Sequence, residues 1–499
     1  MEATSLNDSR ILFSRAVSSR TLRRVAMDAP LTSFATLLSV LLVEVVRWLP
    51  SPFDVARLDC TSRLFHLGAP RSVVEEGLRL RAEAAGRTVE AALPAGEKSW
   101  AQWLMWEERR LLACAPPVAS SCLNHSAFVD AGRQLLTCGS NVYGLGMLGQ
   151  GESVLHSVVP RAVAGLGGVR IRTVAVGGSH TLACSDEGVV YSCGYGRFGQ
   201  LGHGDTSTLS APRVLKALQD VRISEVAACG CHSLALSRAG ALYSFGLNAH
   251  GQLGLGMNMH GRIDLGDCTT QLVPRRVAAL HDVRISAVAT GQRHSLVLSE
   301  GNVYSFGCGK HGRLGHGERT GHSTPRTIVA LQGVRVGAVA AGGEHSLVVS
   351  TAGRIYSFGR GNMGQCGHDD TVDQLAPRLV GALLGMRVSA VAAGFVHSLV
   401  LSEGNVYSFG CGEYGKLGHG NIVPQPTPLV VTGLQGVCVC SVAAGHSTSL
   451  AVTTDGEAYG WGGGGGGGMA MEIPQPVLGL ELTENQRVPR KYPGLCLLA

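Results

Sequence analysis

Val283-Arg-Ile-Ser-Ala-Val-Ala-Thr-Gly291-Gln-Arg-His294-Ser-Leu-Val-Leu-Ser-Glu-Gly-Asn-Val-Tyr304-Ser-Phe-Gly307, followed by Gly312-Arg-Leu-Gly-His-Gly317 and Pro325-Arg326, is one copy of a unit that recurs along most of this 499-residue chain. The histidine that precedes the second apolar run marks each copy: His125, His180, His232, His294, His345 and His397, with Thr448 in the same place in the last. Successive gaps are 55, 52, 62, 51, 52 and 51 residues. A period near 50 residues identifies stacked supersecondary units, and seven of them fit.

Within a unit, apolar runs such as 295–299 and 303–306 are joined by Gly301-Asn302, a hairpin signal. Each unit therefore reads as four short strands. Such a hairpin cannot cover both of its faces, so the units must stack, and closing them into a ring removes long free edges. The expected fold is all-β, a seven-bladed β-propeller over 113–480, with 481–499 as a C-terminal closing segment. Either residues 488–498 supply the final strand of the last blade, or chain from 110–122 closes the ring. The last copy departs most from the pattern, with Thr448 for histidine, Tyr459-Gly-Trp461 for Tyr-Ser-Phe and a glycine run at 462–468, so the seventh blade is expected to be the loosest.

Composition agrees. Glycine accounts for 69 residues, roughly twice its usual ~7% share, and charged residues for only 16% against an ordinary ~25%. Glycine without a collagen period points to dense turns, and the Gly-x-Leu-Gly-x-Gly loops are placed to supply positive φ and close backbone approach between blades. The net charge of +6 is mild and offers no stripe for direct reading of nucleic acid. Arginines follow prolines (Arg161, Arg213, Arg275, Arg326, Arg378) and open strands (Arg170, Arg222, Arg284, Arg335, Arg387), and are expected to pair locally between blades. Fifteen cysteines show no Cys-x-x-Cys pair, and Cys229/Cys231 and Cys438/Cys440 come closest, so buried reduced thiols are expected rather than zinc.

These motifs, in this order, resemble the regulator-of-chromosome-condensation repeat family over about 120–480. Kelch blades would need a tryptophan and double-glycine pattern, and WD blades a Trp-Asp pair. The resemblance implies a binding platform rather than an enzyme. Consistent with that, adjacent His-Ser residues in a strand point to opposite faces and cannot act together as base and nucleophile. No catalytic residue, metal ligand or cofactor is expected. The six repeat histidines are read as architectural, as are His203, His316, His368 and His419 in the Gly-His-Gly loops. Side chains that vary from copy to copy on one loop face are the candidate partner site: Arg197, Phe198, Asn248, His250, Lys310, His311, Arg360, Met363, Glu413 and Tyr414. The 62-residue gap places an insertion of about ten residues within 257–271.

Residues 34–112 break the repeat. Leu37, Leu38, Leu41, Leu42, Val45, Val46 and Leu49 give helical spacing, and four of the five tryptophans lie here. Pro52, Asp54, Leu58, Cys60, Arg63 and Phe65 look like the second half of an F-box, although Leu38-Ser39 stands where the usual Leu-Pro would lead and Pro50 is an insertion. That resemblance implies a Skp-type adaptor of a cullin ubiquitin ligase as partner, with the propeller holding a client protein; a small helical cap is the plain structural alternative. The repeat family itself implies a second option, nucleotide exchange on a Ran-like GTPase with chromatin contact. Residues 1–33 read as a disordered basic tail, with organelle import as the alternative. No apolar stretch reaches the ~20 residues of a membrane span, since Glu44 and Arg47 interrupt the longest, 34–49. Cytoplasm or nucleus is the expected location.

A plant ultraviolet-B receptor in the resembled family uses tryptophans clustered in Gly-Trp-Arg-His motifs. The corresponding positions here are Gln292, Gly343 and Phe395, and Trp461 is the one tryptophan within the repeats. Ultraviolet-B irradiation is therefore expected to leave the oligomeric state of the purified protein unchanged, as size-exclusion chromatography before and after exposure would show.

Overall fold

Ser299 faces Asn302 across the hairpin of the quoted unit, so the turn is Glu300-Gly301, one residue earlier than expected. Their φ angles of 49° and 85° are the two positive values a type I′ turn requires, and Glu403-Gly404 repeats them at 51° and 81°. The computed structural model describes residues 119–141, 144–256, 270–463 and 485–497. The readings for 1–33, for the helical module at 34–112 with Pro52, Asp54, Leu58, Cys60, Arg63 and Phe65, and for the insertion at 257–269 lie outside the described residues.

Seven antiparallel four-stranded sheets follow one another along the chain. In blade 4 the strands are Ala287–Thr290, His294–Ser299, Asn302–Gly307 and His322–Thr327, paired in sequence order. The other blades repeat this order at 119–162, 171–214, 223–276, 336–379, 388–430 and 439–496. The first strand of each blade lies against the first strands of its neighbours all the way round, that of blade 7 meeting that of blade 1, so these strands line the central channel. Among the described residues no helix is long and apolar enough to cross a membrane.

The core is seven cores, one at each blade junction. Leu296, Leu298, Val303, Ile328 and Leu331 of blade 4 pack with Val336, Ala341, Val348 and Phe358 of blade 5. In blades 2 to 6 the second glycine of the Gly-x-Leu-Gly loop or its variant lies on the next blade's aromatic residue, and in blade 1 Gly149 lies on Cys193 instead. A Cβ on Gly315 would stand 2.9 Å from Phe358, and one on Gly367 2.9 Å from Phe409, at φ of 77° in both cases.

The described strands of blade 7 pair and pack as those of the other blades do. Its four strands form, and Leu450, Val452, Ala458 and Trp461 are buried because the inward positions keep their apolar character where the motif is lost. Gln486–Cys496 supplies its outer strand, whereas Ala119–Ser121 is the inner strand of blade 1. Each blade is therefore contiguous in sequence, and the ring closes through contacts between blades 7 and 1 rather than through a shared strand. Ala119, Phe128 and Cys138 pack there with Leu450, Val452, Ala458, Tyr492 and Leu497. Ala131 N–H donates to the Cys496 carbonyl at 3.0 Å.

Arginine pairing agrees with expectation only in part: Arg133–Asp186, Arg313–Glu344 and Arg319–Asp373 join neighbouring blades. Arg213–Asp205, Arg326–Glu318 and Arg378–Asp370 are pairs within a blade, because the loop before the outer strand returns its carboxylate to the arginine on that strand. They are largely exposed and contribute little.

Tyr492 tests the closure. Its ring meets Phe128 edge-on at 5.3 Å while its buried hydroxyl has no partner. Tyr492→Ala is expected to lower stability by about 3–5 kcal/mol in urea denaturation, and Tyr492→Phe to leave it unchanged or raised.

Candidate functional site

Each repeat histidine reaches the next blade. His125 Nε2 meets Thr181 Oγ1 at 2.7 Å, and His180, His232, His294, His345 and His397 meet Ser233, Ser295, Ser346, Ser398 and Ser449 at 2.9–3.0 Å. The hydroxyls donate their protons backwards, to the carbonyls of Met147, Gln200, Gln252, Arg313, Gln365 and Lys416 at 2.7–2.9 Å. A hydroxyl has one proton, so each must accept from the imidazole, which fixes the Nε2–H tautomer. Burial lowers the pKa of His125, His180 and His345 to about 3 and that of His232 to about 4, and pushes His294 and His397 well down. At the last junction Thr448 is too short to span the gap. Ser121 bridges it, 2.7 Å from Thr448 and 3.0 Å from Ser126. Serine and histidine thus do meet, from neighbouring blades rather than within a strand, yet both are sealed from solvent and the serine proton is committed.

The histidines after the Gly-x-Leu-Gly loops are local: His203, His316, His368 (in Gly-His-Asp rather than Gly-His-Gly) and His419 reach Ser192, Ser305, Ser357 and Ser408 of their own blades at 2.8–2.9 Å. Both classes of histidine are structural in this geometry.

The loops joining first to second strands and third to fourth strands emerge at the same end of the ring, because alternate strands run in opposite directions. The former surround a cavity of about 140 Å³ at the channel mouth, lined by Cys122, Leu123, Cys229, Gln292, Phe395 and His446 among others. The latter carry all ten predicted face residues. Arg197, Lys310, Met363 and Glu413 are exposed, whereas Phe198, Asn248, His250, His311, Arg360 and Tyr414 are half-buried. His311 and Tyr414 hold the left-handed region at φ 62°, and His311 Nδ1 lies 2.9 Å from Asp373 of the next blade.

Sequence reading missed the groups beneath this face. In blades 2, 3 and 5 the second residue of Gly-x-Leu-Gly or its variant is a glutamine (Gln200, Gln252, Gln365) that accepts from the backbone N–H two residues before it. Blades 4 and 6 place buried Arg313 and Lys416 there instead. Arg313 donates to Glu344 at 2.7 Å and to the Gly343 carbonyl at 3.3 Å, and Arg360 also pairs with Glu344. Burial opposes ionisation of Glu344, but Arg360 and Arg313 outweigh it and hold its carboxyl below the usual range. Lys416 lies 5.6 Å from the Tyr414 ring centroid. His446 stacks on Phe395 at 4.3 Å, and burial, aided by Lys416, lowers its pKa to about 4. Lining up the copies would have exposed both cations as departures from glutamine.

Seven contiguous blades, six of their junctions stitched by histidine–hydroxyl bonds and the seventh by a threonine–serine relay, with their varying side chains gathered at one mouth, define a repeat-built seven-bladed propeller. The chain belongs to the regulator of chromosome condensation (RCC1) repeat family. The RCC1-like domain matches residues 255–489, and the Regulator of chromosome condensation (RCC1) repeat matches 134–184 and 187–236. The Ultraviolet-B receptor UVR8 of Arabidopsis thaliana is 35% identical over 346 residues, 68% of this chain and 76% of that protein. E3 ubiquitin-protein ligase HERC2 of Homo sapiens is 36% identical over 315 residues, 62% of this chain but only 6% of HERC2. Prp20p of Saccharomyces cerevisiae superposes with a TM-score of 0.61 at 24% identity, over 77% of this chain and 89% of that one. Human WBSCR16 gives 0.60 at 27% identity, over 70% and 92%.

The buried imidazoles set a pH dependence. Below the unfolded value near 6.5 the unfolded chain takes up protons that the folded ring refuses, so stability is fully present above that pH and lost as pH falls. Each histidine contributes a slope of about 1.4 kcal/mol per pH unit until its folded pKa is reached. Urea midpoints are expected to fall steeply between pH 6.5 and pH 5, and His345→Gln to show a shallower fall by about one proton's share.

Proposed function

We propose that the propeller is a protein-binding platform whose client docks on the loop face around the channel mouth. The observation that carries this is the contrast between a ring whose glycines, histidines and serines repeat and a single face where the side chains do not. Exposed Arg197, Arg293 and Lys310 beside Phe198, Met363 and Phe395 give that face mixed cationic and apolar character, which suits an interface anchored by aromatic and arginine side chains. The chain itself supplies no chemistry in this reading. Its part is to bring a client close to whatever the F-box-like segment recruits, a Skp-type adaptor of a cullin ubiquitin ligase. The similarity to a stretch of HERC2, a ubiquitin-protein ligase, supports an RCC1 propeller serving beside ligase machinery.

The second reading is exchange of guanine nucleotide on a Ran-like GTPase. It is favoured by the superposition on Prp20p, a protein with binding properties towards Gsp1p and histones. In that reading the same face would meet the GTPase.

Pull-down from the native source with wild-type chain and with the Arg197→Glu/Lys310→Glu variant separates the face from the rest of the ring. Client recovery is expected to fall at least about tenfold, as charge reversal at an interface rim and core permits, with the thermal midpoint unchanged. Adaptor recovery is expected to be lost in Leu58→Asp/Phe65→Asp and kept in the face variant; retention in both would remove the ligase part of the proposal. Release of fluorescent nucleotide from a Ran-like GTPase is expected to be unaffected, and acceleration at micromolar protein would favour the second reading.

A further inference from the structure

Three residues before each repeat histidine stands a glycine, at Gly177, Gly291, Gly342 and Gly394, and Gly445 precedes Thr448 in the same way. Its lack of a side chain matters: a Cβ on Gly177 would come within 2.1 Å of the His180 ring, and one on Gly291 within 2.2 Å of His294. Blades 1 and 3 break this rule, and both break it with cysteine, at Cys122 and Cys229. Local rules are most often broken where a site requires it.

The two cysteines meet. Between them blade 2 presents Gly177-Gly178, whose Gly178 N–H donates to the Gly230 carbonyl at 2.9 Å. A Cβ on Gly178 would stand 3.4 Å from Leu123 and 3.0 Å from the Gly230 oxygen, so the thin loop of blade 2 lets blades 1 and 3 close over it. Both thiols line the channel-mouth cavity and are half-buried, and each is the neighbour that most perturbs the other. The Cys229 thiol and the backbone amides of Leu123 and Gly230 face the Cys122 sulfur and lower its pKa against the opposing effect of burial, while Cys229 is held up as the proton-bearing partner. The contrast with the rest of the ring is sharp. Burial raises Cys184, Cys193 and Cys366 to about 12, where they are inert.

We infer that Cys122 and Cys229 form a peroxide-reactive thiol pair at the channel mouth. The Cys122 thiolate attacks one oxygen of a hydroperoxide, the O–O bond breaks, and hydroxide (or the alcohol's alkoxide) leaves; Cys122 becomes a sulfenic acid. Cys229 sulfur then attacks the Cys122 sulfur, water leaves with the Cys229 proton, and a disulfide joins blade 1 to blade 3. Two thiols are oxidised and one hydroperoxide is reduced. Cys231, two residues further on, is also half-buried. The disulfide would tie together two blades that are not neighbours in the ring, at the mouth where the loop face converges. The inference does not depend on which client binds there.

The test uses the reduced full-length chain, a few equivalents of hydrogen peroxide and site-resolved mass spectrometry. Non-reducing digests are expected to contain a Cys122–Cys229 cross-linked peptide two mass units lighter than its reduced parts and reversible by dithiothreitol. Iodoacetamide at neutral pH is expected to label Cys122 about tenfold faster than exposed Cys496. Cys229→Gly, which restores the residue of the other blades, is expected to leave Cys122 as a sulfenic acid trapped by dimedone, and Cys122→Gly to abolish both products. Labelling that follows exposure alone, with Cys496 consumed first and Cys122 untouched in the folded chain, would overturn the inference without needing either variant. So would a disulfide that forms only after unfolding.

Discussion

One neutral imidazole donating to a hydroxyl of the next blade, while that hydroxyl donates back to a loop carbonyl of the first, is the contact on which the ring depends. It links three segments at each junction: the second strand of one blade, the second strand of the next, and the Gly-x-Leu-Gly loop between them. Because both partners are buried, the bond cannot be exchanged for water, and an unpaired hydroxyl or carbonyl there would bear its full desolvation cost. The glycine three residues earlier leaves room for the ring, and the aromatic of the next blade is seated under the loop whose carbonyl accepts the proton. Remove the imidazole and the glycine three residues earlier loses its reason.

Against so regular a frame, departures carry information. The channel mouth is divided into two regions. On blades 4 to 7 it is polar and aromatic, with Arg313 and Arg360 on Glu344 and His446 stacked on Phe395. On blades 1 to 3 it is lined by small residues and thiols. Thr448 at the seventh junction is a departure of another kind. There the shorter side chain is accommodated by Ser121, a residue from the inner strand of blade 1, so the circuit of hydrogen bonds stays complete with a different part.

The count of blades, their strand order and the role of the histidines were legible because each leaves a periodic mark: a histidine near every fiftieth residue, glycines at fixed offsets, alternating apolar runs. What crosses a junction leaves none. That His294 meets Ser346 requires knowing which faces of two units about 52 residues apart come together, and the pattern of one unit does not say. The same blindness hid Arg313, whose side chain matters through Glu344 of the next blade. In the seventh blade the glycine run drew attention from inward positions that remain apolar and buried. Arginine pairing was legible only in part, for a local reason: the loop that returns an aspartate or glutamate to its own blade's outer strand is a turn geometry, invisible in spacing alone.

Because every blade is built from contiguous chain, six junctions close over about one repeat, whereas the seventh joins residues 327 positions apart. Loop closure over that span costs about 1.6 kcal/mol more than closure over one repeat, by the logarithmic dependence on length. The ring therefore has a seam. Six interfaces can form progressively as neighbours meet, and the seam waits until the whole arc exists. It is held by a threonine–serine relay, Tyr492 against Phe128, and backbone contacts from Ala131 to Cys496, Asp130 to Leu497 and His446 to Cys122, in place of an imidazole bond. Breathing of the native ring should concentrate there, at a clasp lying beside Cys122, so that the last contact made in folding is also the one through which the arc can momentarily open.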